Sequence, residues 1–427
     1  MKQSIDTICV QGGWQPKRGE PRQPPIVQST TFRYETTQQM ADLFDLKAPG
    51  YFYTRLQNPT NDQVAAKIAA LEGGVAAMLT SSGQAASTFA VLNLCSAGDH
   101  VVASAQIYGG TFNLFAVSLK KLGIDFTFVD PDAPEDEIAA AFRPETKCLF
   151  GETVANPSGC VLDIAKFARI AHSKGVPLIV DNTFATPVLC RPFEFGADIV
   201  VHSTTKYMDG HAAQVGGAIV DSGAFDWEAH AARFPGLVEP DPSYHGLSYT
   251  KNFGKLAFIT KATAQLMRDY GSIPSPFNAF LLNLGLESLH LRIRRHAQSA
   301  LEVARWLEKR PETAWVEFAG LESSKYHALA QKQFDGGLPC GVMTFGLKGG
   351  RDVSVKFMDS LKMIEIVTHV ADARSCVLHP ASHTHLQLTD EQLRAAGIPP
   401  DLIRFSVGLE DPADIIADLE QAFAAMA

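Results

Sequence analysis

Two apolar runs, residues 176–180 and 199–201, each break off into polar residues, about twenty-five positions apart. The first ends in Asp181-Asn182-Thr183, the second in His202-Ser203-Thr204-Thr205-Lys206-Tyr207. A short unbroken apolar run fits a strand buried on both faces, as in a parallel sheet. Open α/β sheets bind ligands beyond the carboxyl ends of such strands. The pair therefore predicts an α/β fold in which a carboxylate, two hydroxyls and a lysine meet at one crevice.

The rest of the chain fits that frame. With those two runs, strand patterns fall at 76–80, 100–104, 125–129, 147–151, 177–180, 198–201 and 216–220, with helical patterns at 61–72, 111–122 and 163–174. Such alternation predicts a doubly wound, mostly parallel sheet. Beyond 220 the rhythm changes. Residues 223–249 are loop-rich, helices follow through 286–309, and β-like segments at 341–346 and 403–407 precede a terminal helix at 412–425. The expected organisation is an arm over 1–60, a ligand-binding domain over 61–270 and a smaller α/β domain over 271–427. The arm is rich in Gln, Pro and Thr without a sustained period, so it is expected to lie against another body or a neighbouring subunit.

The 427 residues suffice for a large core, and 46% hydrophobic with 19% charged residues is ordinary for a globular protein. A net charge of −9, with no dense basic block, argues against nucleic acid or an anionic membrane as partner. The longest uncharged apolar-rich stretch, 271–286, is interrupted by Pro274, Pro276, Asn278 and Asn283 and is shorter than the ~20 residues that span a bilayer. The first residues have no signal-type apolar region. Seven cysteines, an odd number without a CxxC pair, suggest reduced thiols and a cytoplasmic location.

Lys206, desolvated at a strand end, would have a lowered pKa and a free amine able to form a Schiff base. Asp181 suits a pyridine nitrogen that must stay protonated, although a helix cap or salt bridge is as good a reading of it alone. An amine for an aldehyde, an acid for a ring nitrogen and hydroxyls for a phosphate together fit pyridoxal 5'-phosphate. Ser81-Ser82-Gly83-Gln84-Ala85-Ala86 joins a strand to a helix, where backbone N–H groups offer an anion site or serines simply cap. Tyr108, before Gly109-Gly110, could stack on a ring or pack on its own turn. Tyr53 and Arg55 could complete a phosphate site from a second subunit, or form a surface ion pair. Arg404, a charge inside an apolar run, needs a partner: a substrate carboxylate or Glu410. His379, His383 and His385 lack the frame of a metal site and read as substrate-loop histidines, so no metal is expected. Ser203 and Lys206 also match the S-x-x-K of serine acyl-enzymes, but neither partner element of that class occurs.

Together these motifs resemble the Cys/Met-metabolism family of pyridoxal-phosphate enzymes, which have the aspartate-aminotransferase-like architecture (fold type I). The likeness runs from residues 53–60 to the Arg404 strand. Within the family the chain is most similar to the O-acetylhomoserine sulfhydrylase branch, on three features. These are the loop at 81–86, the insertion Pro242-Ser243-Tyr244-His245-Gly246-Leu247, and Thr384-His385-Leu386-Gln387-Leu388. The resemblance implies γ-replacement on O-acetyl-L-homoserine by sulfide, giving homocysteine for methionine biosynthesis. It implies that Lys206 binds the cofactor aldehyde, Asp181 pairs with its ring nitrogen, and Tyr108 stacks and acts as an acid. Gly83, Gln84, Ser203 and Thr205 would hold the phosphate, with Tyr53 and Arg55 reaching it from the neighbouring subunit of a homotetramer. Arg404, Asn156 and Ser375 would contact the substrate. Cys376 stands where an aliphatic residue is usual, and His383 where the family tends to have Thr or Met. Methionine γ-lyase, cystathionine γ-synthase and O-succinylhomoserine sulfhydrylase remain rivals with the same cofactor; a Ser203–Lys206 hydrolase or a non-catalytic binding module would be rivals without it.

Overall fold

In a computed structural model of the chain, residues 3–426 are described, apart from 385, 387, 388 and 396. Seven strands form the first sheet: β1 (Ala76–Thr80), β2 (His100–Ser104), β3 (Asp125–Val129), β4 (Thr146–Glu152), β5 (Leu178–Asp181), β6 (Ile199–Ser203) and β7 (Gly217–Asp221). Their order across the sheet is β1-β7-β6-β5-β4-β2-β3. From β3 to β6 all neighbours run parallel, whereas β7 lies antiparallel to both β1 and β6. The chain winds outward to β3 on one side and to β5 and β6 on the other, so β2 and β4 flank the topological switch. In such sheets the ligand crevice lies there, beyond the carboxyl ends of the strands.

The central strands β4, β5 and β6 are almost wholly buried because helices cover both faces. Two large apolar clusters lie on either side, one including Val180 and Val200, the other Ile179 and Ile199, as the alternation of side chains along a strand requires.

A second sheet has the order β10-β11-β12-β9-β8, from β8 (Thr313–Glu317), β9 (Val342–Leu347), β10 (Glu365–Ile366), β11 (Cys376–Leu378) and β12 (Leu402–Ser406). The terminal helix Pro412–Met426 covers its core through Ile415, Leu419 and Phe423.

Three local expectations differ. The span 1–60 is not aperiodic throughout: helices form at Ile5–Gln11 and Thr37–Phe44, capped by the Ser4 and Thr36 side chains. Helices so short are marginal alone. The first is held by packing, with Cys9 fully buried in the main core. The span 111–122 is not one regular helix but an α-turn, a π-turn and a 3-10 turn at Gly109–Asn113, Leu114–Ser118 and Leu119–Leu122. The wider π-turn accompanies complete burial of Phe115 between Phe126, stacked at 4.7 Å, and Phe150, edge-on at 5.0 Å. Finally, the helix expected over 286–309 begins ten residues earlier, as Pro276–Glu308. Ser275 caps it by accepting the Asn278 N–H, and proline occupies the first position, where its missing donor costs nothing.

Candidate active site

Asp181 ends β5 and Ser203 ends β6, so both side chains emerge at one sheet edge. The Thr183 hydroxyl ties the ends together. It accepts the Ser203 N–H at 2.8 Å and donates to Asp181 Oδ1. Burial raises the Asp181 carboxyl above its ordinary value, against the Thr183 hydrogen bonds and His202, which pull it down. Its register partner on β4, Glu152, is pushed up well above the usual carboxyl range by burial and by Asp181. Two acids so close and so dry favour one charge rather than two. Glu152 also accepts the Tyr108 N–H at 2.5 Å, fixing the turn after β2. On the opposite face His202 Nε2 meets Glu72 Oε1 at 2.6 Å, both without side-chain exposure.

Lys206 lies in the turn after β6. Burial, followed by the nearby Arg404 charge, lowers its amine to about 8. Thus roughly half is neutral near pH 8, where an exposed lysine is almost wholly protonated. Its Nζ lies 3.5 Å from His369 Nδ1.

The anion side of the crevice is built around Gly83, the first residue of the helix Gly83–Leu92. A Cβ there would lie 2.6 Å from Ser203 Cβ, so only glycine lets the helix start close over β6. Ser82 caps the helix by accepting the Ala85 N–H at 3.1 Å, and Gln84 Oε1 accepts the Thr111 hydroxyl at 3.1 Å. The Thr205 hydroxyl exchanges hydrogen bonds with the backbone of Gly216. Tyr108 is half exposed, and its ring lies over Gly110, where a Cβ would meet Cε1 at 2.5 Å.

The second sheet contributes Arg404 from β12, 5% exposed. Its partners among the described residues are neutral: Asn156 Oδ1 at 3.3 Å and the carbonyls of Thr368 and His369 at 3.3 and 2.9 Å. Its Nε is buried with no hydrogen bond. Glu410 is not its partner, because that carboxylate is taken by the Ser375 N–H at 2.7 Å and hydroxyl at 2.9 Å. Asn156 thus stands beside Arg404, whereas the Ser375 hydroxyl is turned to Glu410.

Tyr53 and Arg55 are not brought to Lys206 within this chain. With Tyr244, His245 and Arg268 they line a separate cavity of about 560 Å³ between the arm and the 243–268 segment. Arg55 stacks on Tyr53 at 5.1 Å and donates to the Arg268 carbonyl. Of the three histidines, His379 is buried with Nε2 2.8 Å from the Pro400 carbonyl, and His383 Nδ1 accepts its N–H at 3.3 Å. His385 lies outside the described residues. Lys206 and Ser203 are joined only through the backbone, the Lys206 N–H donating to the Ser203 carbonyl at 3.3 Å, whereas the side-chain bond of Nζ is to His369.

Two residues at this site carried little sequence signal. His369 is a lone histidine in a loop, with no spacing to mark it. Glu152 is visible only as the polar end of β4, and its closeness to Asp181 depends on strand order.

A buried amine of lowered pKa, a buried acid on the adjoining strand end, hydroxyls and a glycine-opened helix N-terminus match pyridoxal phosphate group by group. The class defined by this fold and site is that of the pyridoxal-phosphate-dependent enzymes of fold type I. Residues 6–424 match the family described as Cys/Met metabolism PLP-dependent enzyme, and the chain belongs to that family. It is 44% identical over 426 residues to an O-acetyl-L-homoserine sulfhydrylase of Leptospira meyeri, covering 98% of this chain and 96% of that one. It is 45% identical over 420 residues to a homocysteine synthase of Schizosaccharomyces pombe, covering 98% and 97%. Among solved structures, a putative O-acetylhomoserine (thiol)-lyase of Campylobacter jejuni superposes with a TM-score of 0.95 at 36% identity, covering 99% of this chain and all of that one. That structure carries a pyridoxyl-lysine monophosphate. Among the described residues no helix is long and apolar enough to cross a membrane.

Proposed function

We propose that the chain catalyses γ-replacement on O-acetyl-L-homoserine, in which sulfide displaces acetate to give L-homocysteine. The observation that carries an amino-acid substrate is Arg404, a buried guanidinium whose partners among the described residues are neutral and which is linked to the Lys206 amine through His369. The acylated homoserine is supported by the full-length likeness to proteins named for that substrate or product.

Pyridoxal phosphate, when bound, supplies an electron sink that acidifies the C–H bonds beside a substrate amine. In this reading Lys206, Asp181, Tyr108, Gly83, Gln84, Ser203 and Thr205 hold it. Arg404 grips the substrate carboxylate through its fork of donors, and Asn156 steadies the guanidinium. The leaving group sits on Cγ, two bonds from Cα, so protons must come off Cα and then Cβ before acetate departs. Lys206 Nζ is the base for both, helped by its lowered pKa. Tyr108, half exposed over Gly110, offers its ring to the cofactor and its hydroxyl as an acid. Ser375 orders the β11 edge through Glu410 and Gly408.

Tyr53 and Arg55 serve a neighbouring subunit's site, which makes a dimer the smallest complete unit and a homotetramer the proposed assembly. The boundaries 1–60, 61–270 and 271–427 are retained for arm, cofactor domain and C-terminal domain. A cytoplasmic location accords with seven buried, free cysteines. The test is product analysis with O-acetylhomoserine plus sulfide, against O-succinylhomoserine and against each amino acid alone. Homocysteine and acetate in equal amounts are expected. Release of 2-oxobutanoate as main product would transfer the chain to the lyases.

A further inference from the structure

His369 plays no part in the function proposed above, yet it touches the amine on which that function rests. Its Nδ1 is 3.5 Å from Lys206 Nζ. Its Nε2 is buried without a hydrogen bond, 3.8 Å from Asp372 Oδ2. Asp372 is fixed in turn: Oδ1 accepts the Arg374 N–H at 2.7 Å, and Oδ2 lies 3.6 Å from the Arg374 guanidinium. The backbone of His369 is pinned as well, since its carbonyl accepts from Arg404 Nη2 at 2.9 Å and from Cys376 Sγ at 3.4 Å. The side chain remains 22% exposed, so the imidazole joins a buried amine to solvent.

We propose that His369 is a positioning and proton-relay residue for Lys206, passing protons between Nζ and solvent, with Asp372 steadying the charged imidazole. The step balances as a simple transfer. One Nζ–H bond breaks as the Nδ1 lone pair forms the new N–H bond, and the imidazolium then gives up its Nε2 proton on the Asp372 side; the reverse transfer restores the starting tautomer. At rest Nε2–H faces the Asp372 carboxylate, which favours the tautomer that leaves Nδ1 open to Nζ.

The charges around the ring keep it a weaker base than the amine, so the ring is neutral at rest and the transfer from Nζ is a transient uphill step. Burial lowers the imidazole's pKa, Lys206 and Arg404 lower it further, and Asp372 and Asp209 oppose them. Cys376, next to the same loop, is held up at about 11 by burial and is a neutral thiol. At neutral pH the ring is therefore uncharged and can accept. Lys206 takes one proton from Cα and then another from Cβ, so Nζ has to pass the first on before it accepts the second. An amine, an imidazole and a carboxylate in line provide that exit.

The inference rests on Lys206 as the reacting amine, and its test separates the two. The pH dependence of Lys206 modification by an amine-directed acylating reagent, read by peptide mass spectrometry on the full chain freed of cofactor, reports the contact without turnover. His369→Phe removes the acceptor and adds apolar bulk, so the Lys206 midpoint should fall by at least half a pH unit. His369→Asn, which can still accept from Nζ, should hold it near the native value. In the loaded enzyme both variants should lose 10- to 100-fold in kcat with KM within threefold, and His369→Ala should regain at least fivefold on addition of imidazole. An unchanged Lys206 midpoint in His369→Phe, or kcat within twofold of native in both variants, would overturn the relay. Borohydride fixation of the cofactor to a residue other than Lys206 would instead overturn the functional reading and leave the titration result standing.

Discussion

Lys206 and Arg404 are bound to opposite ends of one residue: the lysine amine to the His369 ring, the guanidinium to the His369 carbonyl. One comes from the turn after a strand of the first sheet, the other from β12 of the second. Both cationic groups lower the pKa of the His369 ring between them, and the Arg404 charge also lowers that of Lys206. The arrangement is costly without an anion and suits a substrate that brings a carboxylate.

Substituting Lys206 tests the amine directly. Lys206→Ala should lower kcat by at least about a thousandfold. Lys206→Arg should do no better, because a guanidinium stays protonated. Because burial holds the free amine near 8, the base-requiring rate in wild type should rise with pH through about 8 and then level. Steady-state rates from pH 6 to 9.5 would check both.

For Asp181 the expected loss is electronic rather than structural. Asp181→Asn keeps an acceptor for Thr183 but cannot hold a neighbouring ring nitrogen protonated. It should lower kcat by about a hundredfold or more while the thermal midpoint stays within a few degrees. Turnover, together with a melting curve, distinguishes this from collapse of the site.

Arg404→Lys keeps the charge and loses the fork. A charge-assisted pair contributes about 1.5–3 kcal/mol, so kcat/KM should fall roughly 10- to 100-fold, mostly through KM. An unaltered KM for the amino-acid substrate would contradict carboxylate binding by this residue.

Asp221, far from the chemistry at the end of β7, makes a separate stability prediction. Its carboxyl is pushed up to about 7 by burial, and Oδ2 has no hydrogen bond. The folded protein thus holds a proton there that the unfolded chain releases near 4, and stability from this group falls as pH rises from about 4 to 7. Asp221→Asn keeps the bond to the Gly223 N–H and should raise the melting midpoint at pH 8 by about 2 °C or more, with little change at pH 5.

Sharing of sites between subunits can be tested by mixing. Arg55→Ala and Lys206→Ala should each be inactive alone. Reassembled together, hybrid dimers contain one intact site, and about a quarter of native activity should return if subunits exchange at random. Activity that never rises above that of the separate variants would place Arg55 in its own subunit's site or outside any.

The strand pattern was legible because a doubly buried strand leaves a plain apolar run. The polar residue ending each run marked Asp181, Ser203, Thr205 and Lys206. What stayed hidden depends on geometry that a linear pattern does not encode. β7 reads like its neighbours but runs against them. Glu152 meets Asp181 only because β4 and β5 are adjacent, although 29 positions separate them. His369 sits in a loop with no period at all. Ser375 and Glu410 are 35 residues apart, and their pairing, which removes the nearest acid in sequence from Arg404, could not be read from spacing.

That last pairing also bears on how the reaction slows. With Glu410 committed to Ser375, Arg404 has no acid of its own among the described residues and will accept a small carboxylate from solution. Acetate is one, and it is released beside this arginine at every proposed turnover. As it accumulates it should compete with the incoming amino acid, giving end-product inhibition that disappears when the acetate is swept away.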